Sequence, residues 1–135
     1  MNPISEIKKK LEKYPELQTH EDGNFISIKP LSSDGFEVWF SGDEGEFTVG
    51  FDGWHEHFDK SEVEYALNCF AFGLSNVCRL KVKSRGGKNY KWVMEALEEE
   101  KWVSYSTTAL FNLAFWQKSK VKYYSNNILS GSQNN

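Results

Sequence analysis

The chain has 135 residues, 39% hydrophobic and 16% aromatic, with a formal net charge of −3. That is one domain's worth of sequence, able to bury a ring-rich core without disulfide or metal staples, and its acidic balance weighs against a dedicated phosphate binder. No apolar run approaches the roughly 18 residues of a membrane span, and the N-terminus lacks the basic-then-apolar order of a secretory signal, so the expected compartment is the cytoplasm.

In chain order, Asn2 before Pro3 reads as a helix cap with proline at the first helical position. Ile4, Ile7, Leu11 and Tyr14 then form one apolar stripe until Pro15. Residues 16–24 are polar and read as a loop. Strands are expected at 25–31, 36–41 and 46–52. A loop at 42–45 would set Phe40 opposite Phe47, Val38 opposite Val49 and Phe36 opposite Phe51, all on one face. Trp39 and Glu46 fall on the other face.

Ser61 and Glu64 match a capping box for a helix whose buried stripe is Val63, Leu67, Phe70 and Leu74, stopped at Gly73. Residues 77–84 alternate cleanly. A three-residue turn, Arg85-Gly86-Gly87, would pair Val82 with Tyr90, Leu80 with Trp92 and Cys78 with Met94, giving one wholly apolar face. A two-residue turn would mix lysine with tryptophan on both faces. Glu98 to Glu100 reads as a turn, 102–107 and 121–124 as strands, and 109–116 as either a strand or a helix. The sum is an α+β domain over residues 1–129: about six strands in antiparallel sheets, an N-terminal helix, one central helix and a frayed tail at 130–135. Cys69 and Cys78 read as reduced, buried thiols.

The small net charge hides a segregation. Residues 34–64 hold ten acids and one base, whereas residues 77–92 hold six bases and no acid. The two blocks could face each other within the fold. Left open, the acidic one would attract a basic partner.

Chemistry is densest at Gly50-Phe-Asp-Gly-Trp-His-Glu-His-Phe58. One reading makes this stretch an ordered link from strand to helix, anchored by Trp54 and Phe58. A second exposes the imidazoles: Trp39, Glu46, Asp52, Trp54, His55, Glu56 and His57 would form an aromatic centre with an acidic rim, the anatomy of a protein interface. A third makes His55 and His57, two apart on a strand, metal ligands or catalytic bases, with Asp52, Asp59 or His20 supplied by the fold. Neither a Cys pair nor a His–Glu–x–x–His spacing supports it, so no catalytic residue, metal or cofactor is assigned. The basic hairpin, with Arg79, Lys81, Lys83 and Lys91, raises nucleic acid as a further alternative, against the simpler reading of a solvated strand face.

The strings Phe51-Asp-Gly-Trp-His-Glu-His-Phe58, Phe72-Gly-Leu-Ser75 and Cys78-Arg-Leu-Lys-Val82 with Arg85-Gly-Gly87 resemble a group of small bacterial single-domain proteins, over roughly residues 46–116. In size and acidity the chain is also similar to the immunity proteins that neutralise bacterial toxins. That likeness implies a partner protein, in its specific form a basic toxin domain, and assigns no residue.

Overall fold

The computed structural model describes residues 2–43, 45–111 and 116–129. Helix α1 (Pro3–Leu11) starts where the sequence places it. Asn2 Oδ1 accepts the Ile4 and Ser5 amides at 3.0 and 3.3 Å, and Lys8, Lys9 and Lys10 sit in the last turn, where the helix dipole favours cations. The chain then turns through Tyr14 and Leu17 into β1 (Thr19–Asp22), which pairs with β2 (Phe25–Ile28) across Gly23, whose φ is 61°. The loop expected at 16–24 is therefore in part a strand. All four β1 side chains are exposed, so backbone pairing holds it and no apolar alternation marks it.

Strands β3 (Val38–Gly42), β4 (Glu46–Phe51) and β5 (Trp54–Asp59) complete an antiparallel sheet in the order β1-β2-β3-β4-β5. Phe40 pairs with Val49 and Val38 with Phe51, two residues from the expected register, because the turn closes more tightly, Asp43 N–H donating to Glu46 O at 2.8 Å. A slip of two preserves every face. Ile26, Ile28, Val38, Phe40, Phe47, Val49 and Phe51 thus still share one buried layer. The tract from Trp54 is a strand rather than a link to the helix.

A 3-10 turn at Lys60–Glu62 leads into α2 (Val63–Gly73), and the capping pair lies two residues earlier than expected, Glu62 accepting the Asp59 amide at 3.0 Å. Helix α2 packs on β3, β4 and β5 and buries Ala66, Phe70 and Gly73. Gly73 lies so close to the Phe51 ring that a Cβ there would come within 2.3 Å of it.

The second sheet is built from β6 (Cys78–Arg85), β7 (Lys88–Glu98), β8 (Lys101–Ala109) and β9 (Lys120–Tyr124), in the order β8-β7-β6-β9. Its first turn is the two-residue Gly86-Gly87, with φ of 58° and 79°, and not the three-residue one. A bulge that leaves Tyr90 without a partner then restores the apolar face, pairing Val82 with Trp92, Leu80 with Met94 and Cys78 with Ala96. A second bulge, at Tyr105, turns Ser106 and Thr108 inward while Trp102 and Ser104 stay outward. Residues 112–115, within the ambiguous 109–116 run, and the tail at 130–135 lie outside the described residues.

The architecture is α+β: the described residues form two helices and two antiparallel sheets around one shared apolar cluster, with nine strands in place of about six. The chain end ties in through Asn126, which accepts the Phe36 amide at 3.0 Å and donates to Gly73 O at 2.9 Å. Among the described residues, no helix is long and apolar enough to cross a membrane.

The β7–β8 turn carries Glu99 and Glu100 at φ of 49° and 67°, where asparagine and glycine are favoured. Glu99→Asn with Glu100→Gly should stabilise the protein by about 1–2 kcal/mol, read as a higher urea midpoint at unchanged m-value. An unchanged or lower midpoint would show that this turn stores no strain.

Candidate functional site

The dense stretch from Gly50 to Phe58 is organised by the Asp52-Gly53 turn. Asp52 sits at φ 53°, a left-handed position that aspartate tolerates better than most residues. Two indoles converge on it. Trp39 Nε1 donates to the Asp52 carbonyl at 3.1 Å, and Trp92 Nε1 donates to its carboxylate at 3.3 Å. Each ring lies against a glycine: a Cβ on Gly50 would fall 1.8 Å from Trp39, and one on Gly53 2.2 Å from Trp92. Both glycines are thus required by close approach.

Beyond the turn, Trp54 is fully buried, packed against Phe51 with ring centroids 4.6 Å apart and planes tilted by 30°, and donates through Nε1 to Ser106 Oγ at 3.1 Å. Its neighbour His55 donates its amide to Thr108 Oγ1 at 3.1 Å. The two sheets therefore join where β5 meets β8.

Strand alternation then divides the motif. Trp54, Glu56 and Phe58 turn towards α2, while His55, His57 and Asp59 turn outward. On that outer face the Phe25 and Trp39 rings stack at 6.1 Å, Trp39 lies 6.5 Å from His55, and His55 meets His57 edge-on at 5.4 Å. His57 Nδ1 is 2.9 Å from Thr48 Oγ1 and 3.2 Å from Glu46 Oε2. A strip of rings thus runs from β2 to β5. Asp22 is placed on the same face by its register opposite Phe25, Glu46 and Asp59 lie on it as a facing pair, and Asp52 borders the strip at its turn, its carbonyl on Trp39 and its carboxylate on Trp92.

Five of the seven side chains expected at an interface come together here: Trp39, Glu46, Asp52, His55 and His57. Two do not. Trp54 is the pin between the sheets and cannot reach a partner. Glu56 lies on the opposite side of β5, opening with Glu62 onto a groove between α2 and β7 that is bordered by Phe58, Cys69 and Met94. Phe25 belongs to the site and was missed, although its alternation against Ile26 and Ile28 places it beside Trp39. Asp22 carries no such signal.

Among the described residues, no group of three or more His, Cys, Asp or Glu side chains could hold an ion. His20 shares the face but sits on β1, four strand spacings or roughly 19 Å from His55. Of the two free thiols, Cys78 is buried, and that of Cys69 is pushed up to about 12 by burial and then by the Glu56 carboxylate.

The basic residues Arg79, Lys81, Lys83 and Lys91 lie on the outer face of the second sheet, away from the apolar layer. Arg79 is engaged by Glu95. The acidic face and the basic hairpin therefore do not neutralise each other through ion pairs among the described residues.

In comparisons with known proteins, no family model, curated protein or solved structure matches the chain.

Gly50→Ala should cost about 1–3 kcal/mol in chemical denaturation and shift the tryptophan emission, because Trp39 must leave the sheet. Unchanged stability and emission would contradict the stacking. The raised Cys69 thiol should resist alkylation at pH 8, where an ordinary cysteine is partly ionised. As the folded value lies above the unfolded one, stability present below about pH 9 should fall between pH 9 and 12 as the unfolded chain ionises, and Cys69→Ala should flatten that decline. Rapid native alkylation at pH 8 would contradict the burial.

Proposed function

We propose that the protein is a non-catalytic bacterial interaction protein of the cytoplasm that docks a basic protein surface on the outer face of its first sheet. Its specific form would be an immunity protein masking a basic toxin domain. One observation carries this reading. Phe25, Trp39, His55 and His57 form a continuous strip on a sheet face bordered by Asp22, Glu46, Asp52 and Asp59, and among the described residues no lysine or arginine forms an ion pair with those four carboxylates. A ring-rich centre with a polar rim is how protein interfaces combine desolvation with orientation. The negative rim would also speed encounter with a cationic partner. Binding is favoured over catalysis because the imidazoles stand on an open sheet face, His57 already engaged by Thr48 and Glu46, and not in a cleft with a nucleophile.

The test pairs affinity capture with titration. Wild type should retain a basic protein that Asp22→Lys/Glu46→Lys loses, and purified components should show binding weakened about tenfold or more, mainly through a slower on-rate. If the partner is a toxin, co-expression should suppress its toxicity with wild type and fail to do so with the variant. A partner that binds both forms equally would refute the assignment of this face.

A further inference from the structure

The second sheet presents a different outer surface. Along β6, Arg79, Lys81, Lys83 and Arg85 recur at every second residue, a spacing of roughly 7 Å, and Lys91 stands directly opposite Lys83 on β7. At one end the charge is satisfied. Arg79 Nε and Nη2 donate to Glu95 Oε1 at 2.8 and 2.6 Å, Ser104 donates to Oε2 at 2.9 Å, and the guanidinium lies between the rings of Trp102 and Tyr123, 4.5 and 4.1 Å from their centroids.

Beyond that end no ion pair among the described residues neutralises the row. Lys81, Lys83 and Lys91 have no carboxylate partner among the described residues. Like charges directly opposite on a sheet are unfavourable, so the Lys83–Lys91 pair is a cost that a bound anion would remove. At the far end Arg85 lies 4.8 Å from the Tyr90 ring centroid, and its Nε is shut from solvent without a hydrogen-bond acceptor. An exposed ring accompanies the cations: Tyr123, directly opposite Lys81 on β9, is 46% exposed.

We infer that this face binds single-stranded nucleic acid, the backbone phosphates running along Lys81, Lys83, Lys91 and Arg85 and a base stacking on Tyr123. The chemistry selects the ligand. A row of evenly spaced cations suits an extended polyanion, and an exposed tyrosine beside it suits an unstacked base, whose face a duplex hides. The net charge of −3 does not forbid this, because the carboxylates that produce it are concentrated in residues 34–64, and charges beyond about 10 Å are largely screened at 0.1 M salt. The inference is independent of the first-sheet reading and uses none of its residues.

Fluorescence anisotropy with labelled twelve-nucleotide oligothymidylate and oligouridylate at low salt tests it. Binding should weaken with a log–log salt slope of about −3, as for four neutralised phosphates on a single strand. Lys81→Glu/Lys83→Glu should lower affinity about tenfold or more, Lys81→Gln/Lys83→Gln less, and Tyr123→Ala about fivefold, with thermal melts confirming that each variant is folded. Asp22→Lys/Glu46→Lys should keep binding the oligonucleotide, separating this proposal from the protein-docking one. The proposal is overturned by absent binding at low salt, by equal binding of the Lys81→Glu/Lys83→Glu variant, by indifference to Tyr123→Ala with inorganic polyphosphate competing as well as oligonucleotide, or by sedimentation showing the face occupied by a second copy of the chain.

Discussion

Two indole N–H groups meeting at one aspartate set the geometry of this protein. The Asp52-Gly53 turn is held from one side by Trp39 and from the other by Trp92, and it places β5 so that Trp54 enters the core. Because alternation along a strand is rigid, fixing Trp54 inward sends His55 and His57 outward and Glu56 inward. The same three tryptophans couple the sheets, since Trp92 belongs to the second and Trp54 donates to Ser106 of β8. Polar tips on large apolar bodies suit this role: the rings exclude water while the N–H groups fix direction.

Charge follows from the same geometry. Strand parity sends Glu46 and Asp59 to the first sheet's outer face and Glu56 to the groove beside α2. The basic residues of 79–91 are held on the other sheet, where the half-buried Arg79 and the buried Glu95 form the strongest local pairing. A net charge near zero thus conceals two surfaces of opposite sign, each with exposed rings. Segregation of this kind maintains local fields of both signs on one small molecule.

Much of this was legible in the residues. The Asn2 cap, the stripe of α1, and the inward and outward faces of β3, β4, β6 and β7 follow from local chemistry and period-two patterning. Both hairpin registers differ from expectation by two residues, yet no face changed, because alternation is blind to even slips. Other parts left little trace. Strand β1 is exposed throughout, so its existence depends on an available edge of β2. In β5 the sequence Trp-His-Glu-His-Phe alternates large rings with polar groups in a way equally compatible with a linker. Trp54 and Trp39 look alike as letters. Only the pairing of Gly50 with His55 and Phe51 with Trp54 shows which of them is buried.

The orientation of β5 is the claim on which the acidic face stands, and hydroxyl-radical footprinting of the native protein tests it most directly. With Trp54 pinned between the sheets and the imidazoles on the open face, His55 and His57 should oxidise at rates close to those of the unfolded chain while Trp54 stays protected until global unfolding. Ready oxidation of Trp54 together with protection of both histidines would mean that the strand faces the other way and would contradict the account.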